Sequence, residues 1–259
     1  METILRQAGD IMLSAKNIEQ AVEEKEGTAN FVTKYDVMVQ QLLKEKLLAH
    51  CPEAVFVGEE EKIQGDYLHG VAFIVDPIDG TTNFIKHYDA SAVSVAMLLD
   101  GEVVMGATFN PYKNEFFYAE KGKGASCNGK PVHVSGKGLA ENLICFGTSP
   151  YYPELISDTF RLAEALVRDG LDLRRSGSAV IDLCDVARGR AGLLFEMKLS
   201  PWDYAASSLI LTEAGGVVSQ MDGTPIIFDG PCSVVAGTPD AWKEFFVIKD
   251  AIKNNKQIG

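Results

Sequence analysis

Long apolar runs, paired cysteines and an excess of positive charge are all missing from this 259-residue chain. No stretch approaches the roughly 18 apolar residues of a membrane span, and Met1-Glu2-Thr3-Ile4-Leu5-Arg6 places an acid at the start, without a leader's apolar core. The five cysteines (Cys51, Cys127, Cys145, Cys184, Cys232) are odd in number, scattered and without a CxxC pair. Neither a disulfide framework nor a zinc site is indicated, and they read as buried thiols of a soluble, cytoplasmic protein. Lys and Arg number 24 against 36 Asp and Glu, a net charge of -12, so nothing favours a nucleic-acid backbone. His50, His69, His87 and His133 show no HxxxH spacing or catalytic grouping. What remains is globular composition, 46% hydrophobic and 23% charged, over a length that allows one large domain or two modest ones. The acidity also poses a question: an anionic substrate would need something other than bulk charge to draw it in.

No repeat or linker divides the chain. Ile4, Leu5, Ala8, Ile11, Met12 and Ala15 recur at helical spacing. A polar loop through Gly27 and Asn30 follows, and Thr33 with Asp36 forms a capping-box pattern opening a second helix. Val71 to Val75 reads as a buried strand ending in Asp76-Pro77. Ala92–Leu99 and Glu102–Phe109, joined by Asp100-Gly101, predict a hairpin; strands at Glu115–Ala119 and Val132–Ser135 extend the meander. The second half predicts helices over 153–169, 178–188, 203–214 and from Pro239, with strands at 171–174, 192–197 and 233–236 and a hairpin at Asp222-Gly223. Mixed sheets with helices between and outside them fit this order.

The chemistry concentrates in Asp76-Pro77-Ile78-Asp79-Gly80-Thr81-Thr82-Asn83-Phe84. Two carboxylates leave a strand end three residues apart, and Gly80 allows a turn that points the amides of Gly80, Thr81 and Thr82 at one spot. Carboxylates beside converging N–H groups suit a hard cation next to a phosphate. Gly58-Glu59-Glu60-Glu61 adds acid at a second strand exit, after Val55-Phe56-Val57. Pro201-Trp202-Asp203-Tyr204-Ala205-Ala206-Ser207 supplies a carboxylate at a helix start, where it is favourable by about 0.3–1 kcal/mol even as a simple cap.

GEE, DPIDGTTNF and WDYAAS, in this order and over this length, resemble the inositol monophosphatase family of lithium-sensitive, magnesium-dependent sugar and polyol phosphatases. The resemblance spans essentially the whole chain. It implies the αβαβα sandwich of the sugar-phosphatase fold, α/β in class with mixed, mostly antiparallel sheets. It also implies a single domain over 1–259, its N-terminal lobe (about 1–140) carrying the metal loop and its C-terminal lobe running from about 141 to 259. Carried over residue by residue, it implies that Glu59, Asp76 and the Ile78 carbonyl hold one Mg²⁺, that Asp76, Asp79 and Asp203 hold a second, and that a third, weaker ion sits near Glu59. Thr81, hydrogen-bonded towards Asp36, would orient the attacking water, with Glu60 beside them in the catalytic set. Gly80, Thr81 and Thr82 would meet the phosphate; Gly177, Ser178, Ala179 and Glu196 would contact the polyol. Lys25 matches a family lysine near the metals. Charge logic agrees, because four or five carboxylates in one cleft repel each other unless divalent cations occupy it. No His or Ser nucleophile is required.

Family members are commonly homodimers, and myo-inositol 1-phosphate is the leading small-molecule substrate. Fructose 1,6-bisphosphate, 3'-phosphoadenosine 5'-phosphate and histidinol phosphate are rivals on the same scaffold, and a non-catalytic regulatory binding protein is the alternative of another class. Gly124 to Lys130 mimics P-loop spacing, but Pro131 stands where Ser or Thr is needed. Asp89 stands where many relatives carry proline.

Overall fold

Helices and sheets alternate in five layers in the computed structural model, which describes residues 1–24 and 31–255. Lys25, Gly27 and Asn30 lie outside the described residues. The first layer is α1 (Glu2–Ser14) and, after the small antiparallel pair β1 (Val22–Glu24) and β2 (Phe31–Thr33), α2 (Lys34–His50). Leu5, Ala8 and Met12 form the buried stripe of α1. The expected capping box opens α2: the Thr33 amide donates to Asp36 Oδ2 at 2.8 Å, and the Tyr35 amide to Thr33 Oγ1 at 3.1 Å.

A seven-stranded sheet follows, in the order β3 (Val55–Gly58), β4 (Val71–Asp79), β5 (Ala92–Leu99), β6 (Glu102–Asn110), β7 (Glu115–Glu120), β8 (Ala125–Cys127) and β9 (Lys130–Pro131). Its first pair is parallel and the rest antiparallel; the short α3 (Thr81–Ile85) sits between β4 and β5. The strand expected at Val132–Ser135 does not form. Pro131 has no N–H to continue the ladder, and the Val134 amide turns away to the Ala214 carbonyl at 3.1 Å. The P-loop look-alike is the β8–β9 turn, with Asn128 and Gly129 both at positive φ.

The second sheet draws on β10 (Leu143–Phe146), β11 (Asp172–Arg174), β12 (Leu193–Leu199), β13 (Val217–Ser219) and β14 (Cys232–Gly237), in the order β11-β10-β12-β14-β13. β10 to β12 run parallel through α4 (Pro153–Val167) and α5 (Ala179–Ala187), while β14 is antiparallel to both its neighbours. The hairpin expected at Asp222-Gly223 exists as the β13–β14 pair, but its strands are separated by all of residues 220–231, with Asp222-Gly223 in the turn at the start of that connection. α6 (Pro201–Glu213) lies with α5 between the sheets, and α4 packs with α7 (Pro239–Asn255) outside the second one. Three apolar clusters fill the spaces between layers. The αβαβα arrangement implied by the sequence resemblance is therefore the one observed.

α6 starts two residues before the expected Asp203, because Ser200 caps it and Pro201 supplies the fixed φ of a first helical turn. It is pressed hard onto the first sheet. A Cβ at Gly106 on β6 would lie 2.3 Å from the Ala206 carbonyl, so this crossing needs glycine on one side and alanine on the other. That close approach brings Asp203 to the end of β4. Four of the five cysteines are buried, Cys51 is half-buried, and all five are unbridged. No described helix is long and apolar enough to cross a membrane.

Candidate active site

An irregularity in β4 creates the acidic cluster. Side chains alternate faces along a strand, so residues three apart should point oppositely. Asp76 pairs with Ser94 and Asp79 with Ala92, so β4 spends three residues where β5 spends two. This bulge contains Pro77, which could not donate to a regular ladder, and it turns both carboxylates into one cleft. Ile78 within the bulge is fully buried, and full burial of such a side chain is worth about 1.5–3 kcal/mol. The apolar residue anchors from below the loop whose acids face the cavity. Asp203 arrives from the first turn of α6, its carboxylate accepting from the Ser200 amide at 2.7 Å. Oxygens of Asp76, Asp79 and Asp203 all lie within 4.8 Å of one another.

Each carboxylate is also held. Asp76 Oδ1 accepts from the Ile78 amide at 3.0 Å. Asp79 Oδ2 accepts from the Val180 amide at 2.9 Å and from the Ser178 hydroxyl, at the mouth of α5. Asp36 is buried behind the cleft, and the Thr81 hydroxyl lies 3.3 Å from its Oδ1 and 3.1 Å from the Ile78 carbonyl. Gly80 sits at φ +83°, and a Cβ there would come 3.0 Å from the Ala90 carbonyl and 3.2 Å from that of Gly177. The turn into α3 therefore needs glycine for both conformation and space. Asn83 Nδ2 ties it down by donating to the Ala90 and Ser176 carbonyls at 2.7 and 2.9 Å.

Burial and mutual repulsion dominate the electrostatics. Loss of water pushes Asp76 well up, and the charges of Glu59, Asp79 and Asp203 add to it. Asp203 is pushed up in the same way, with Asp79 and Glu59 as its strongest charged neighbours. Asp79 rises to about 7 through burial, although Ser178 and Val180 oppose the shift. Asp36 rises to about 6, where burial outweighs the Thr33 hydrogen bonds. Glu196 reaches about 7 and Asp182 about 8, again chiefly by burial. Asp76, Asp79 and Asp203 are in no ion pair with Lys, Arg or His among the described residues. Clustered hard oxygen donors without basic partners fit a divalent cation of the magnesium type.

The cleft encloses about 480 Å³ and is lined by Glu59, Asp76, Ile78, Asp79, Gly80, Thr81, Thr82, Gly177, Ser178, Ala179, Glu196 and Asp203, so most residues singled out from the sequence meet there. Two do not line it. Asp36 stands one contact behind Thr81. Glu60 follows the lining residue Glu59 but is not itself on the wall; its amide donates to Gln40 Oε1 at 2.9 Å. The cleft also includes Ser149, Tyr152, Arg175, Asp182 and Lys198, which carry no motif of their own.

Comparison with known proteins agrees with this geometry. The profile of the inositol monophosphatase family matches residues 1–253. The chain belongs to the inositol monophosphatase family. It is 33% identical over 258 residues to the Nus factor SuhB of Escherichia coli K12, covering 96% of this chain and 95% of that one. It is 33% identical over 220 residues to an inositol-1-monophosphatase of Synechocystis, covering 85% and 77%. Among solved structures, an IMPase of Thermotoga maritima superposes with a TM-score of 0.85 at 27% identity, covering 99% and 97%. Asp89, singled out in the sequence, adopts φ +56°, a conformation that the fixed φ of a proline could not reach.

Proposed function

We propose that this chain is a magnesium-dependent, lithium-sensitive phosphatase of a polyol or sugar monophosphate, with myo-inositol 1-phosphate as the first candidate. The observation that carries this reading is the approach of Asp76, Asp79 and Asp203 to within 4.8 Å beside the Gly80 turn. Glu59, Asp76 and the Ile78 carbonyl would hold one Mg²⁺ and Asp76, Asp79 and Asp203 another, with a third near Glu59. Bound there, Mg²⁺ supplies charge neutralisation, Lewis acidity towards the phosphate and a lowered pKa for water.

The chain's own groups supply position and proton handling. With its proton directed to Asp36 or the Ile78 carbonyl, the Thr81 hydroxyl presents lone pairs to a water beside the cluster. Asp36, raised to about 6, is ionised above that pH and can receive the proton that Thr81 passes back. The first-turn amides of α3 at Thr81 and Thr82 have no intrahelical acceptor and suit phosphate oxygens. Glu196, Ser178 and Ala179 line the polyol side. Glu60 stays in the proposed catalytic set next to Glu59, and Gly177 shapes the floor through its contact with Gly80.

Phosphate release from inositol 1-phosphate, fructose, histidinol and adenosine phosphates, with Mg²⁺ and with chelator, tests the reading. Release that needs Mg²⁺ supports it; no release from any member at saturating Mg²⁺ overturns it. Relatives named Nus factors keep a non-catalytic role in view as the second reading, but a cleft with all its carboxylates in place favours catalysis. Homodimer assembly belongs to the same proposal and is measured by light scattering.

A further inference from the structure

The charge along the cleft is lopsided. Its inner end carries Glu59, Asp76, Asp79 and Asp203, whereas Arg175 and Lys198 are the cationic residues that line it among those described. Neither is in an ion pair among the described residues, in a chain where acids outnumber bases 36 to 24. Lys44, Lys86, Lys121, Lys137 and Arg168, on the outer surface, all have carboxylate partners.

Both cations are oriented by one segment, the β10–α4 loop. Lys198 lies on β12, two residues after Glu196; its amide and carbonyl meet Ser149 Oγ at 3.3 and 3.2 Å, and its Nζ stands 3.9 Å from the centre of the Tyr152 ring. Arg175 comes from the loop before α5 and donates from Nη2 to Thr148 Oγ1 at 3.2 Å. Its charge reaches Glu196, which Ser149 also holds through its amide at 3.1 Å. Two cations, one from strand β12 and one from the loop before α5, thus converge on Thr148, Ser149 and Tyr152 in the same cleft as the acid cluster. A neutral polyol could accept their hydrogen bonds but would leave both charges uncompensated. A phosphate or carboxylate compensates them: guanidinium offers a planar fork of donors and ammonium a mobile point charge.

We propose that Arg175 and Lys198 form a second anion subsite, so that the preferred substrate is a phosphate monoester carrying a further phosphate or carboxylate away from the ester that is cleaved. This rests on the phosphatase reading above and narrows its substrate class, moving it away from myo-inositol 1-phosphate. The inner end takes the scissile phosphate through cations and the outer end takes the distal anion directly.

Matched substrates isolate the outer end. Fructose 1-phosphate against fructose 1,6-bisphosphate, and adenosine 2'-phosphate against adenosine 2',5'-bisphosphate, differ only in the distal phosphate and distinguish a sugar from a nucleoside source. The ratio of kcat/KM within at least one pair should exceed about tenfold in favour of the bisphosphate and collapse towards one in Arg175→Gln/Lys198→Gln. Lys198→Arg, which keeps the charge, should retain most of the ratio. A second readout needs neither metal nor turnover: fructose 6-phosphate and adenosine 5'-phosphate, carrying only the distal group, are titrated calorimetrically in chelator. At least one should bind the unsubstituted protein, and the double variant should bind it about tenfold more weakly. Ratios near one in both pairs, ratios unmoved by the double substitution, or binding of neither probe would overturn the subsite while leaving the phosphatase reading intact. No release from any of the four esters, with probe binding retained, would instead overturn the phosphatase reading.

Discussion

The two walls of the cleft are built on different principles. The β4 wall is a strand bulge pinned by a fully buried Ile78 and Phe84, and it concentrates the carboxylates of Asp76 and Asp79 beside that of Asp203. The β12 wall joins strand residues Glu196 and Lys198 to Ser149 and Arg175 from two loops, with Ser149 hydrogen-bonded to Glu196 and the Arg175 charge acting on it. The first wall relieves its repulsion by taking up protons, as the raised pKa values record, or by the cation proposed above, and tolerates little change. The second can exchange residues without disturbing the carboxylate cluster. The difference separates what fixes the reaction from what selects the substrate, and it can be broken or sharpened by substitutions on either side.

The largest effect should come from Asp79→Asn. The amide oxygen can still accept from Val180 and Ser178, so the fold at the mouth of α5 survives while one charge is lost. Mg²⁺-dependent phosphate release should fall by at least about a hundredfold. The metal-free variant should melt higher than the unsubstituted protein, because a buried repulsion has gone. Activity near the original level would remove Asp79 from the metal set. Thr81→Ala comes next, with a loss of about a hundredfold in kcat and little change in the Mg²⁺ concentration for half-activation. Thr81→Ser, which keeps the hydroxyl facing Asp36, should recover most of it.

Stability should report the same asymmetry. Asp36, Asp79 and Asp182 have folded pKa values of about 6, 7 and 8, above the ordinary aspartate value of 3.8. Between those limits the folded state binds more protons than the unfolded one, so stability falls as pH rises. Metal-free protein should therefore lose melting temperature from about pH 4 to pH 8 if the β4 wall dominates. Saturating Mg²⁺ should restore about 5–10 °C at pH 8 and much less at pH 5. A metal-free melting temperature that rises steadily over this interval would contradict the picture of uncompensated acids.

The contrast between walls also explains what the sequence made legible. DPIDG and the WD motif announce the β4 wall because a bulge, a tight turn and clustered acids leave few residue choices, and Pro77, Gly80 and Gly106 mark where backbone geometry is unforgiving. The capping box at Thr33 and Asp36 is readable for the same local reason, and it fixes Asp36 at the start of α2, within reach of Thr81. The β12 wall has no such grammar. Arg175, Lys198 and Ser149 come from three segments whose proximity depends on sheet order, and β10 is an apolar run of only four residues between Asn142 and Gly147, without a period of its own. Glu60 is a case where the sequence motif and the cavity wall do not coincide: it follows the lining residue Glu59, and its amide donates to Gln40 Oε1.

Glu196 is where the β12 wall can be tested with the smallest perturbation. Its pKa is raised to about 7 by burial, against the Ser149 hydrogen bonds and the Arg175 charge. Below that pH the carboxyl can donate to a substrate hydroxyl, and above it can only accept. Glu196→Gln keeps the shape and a donor but cannot titrate, so kcat/KM should fall by about threefold to tenfold at pH 8 and less at pH 6. The inflection near pH 7 in the KM profile of the unsubstituted protein should vanish in the variant. Arg175→Gln should move that inflection upward, because it removes a charge that favours the ionised form. An inflection unmoved by either change would mean that Glu196 orders the Ser149 loop without meeting the substrate, and selectivity on this wall would then rest with the loop residues alone.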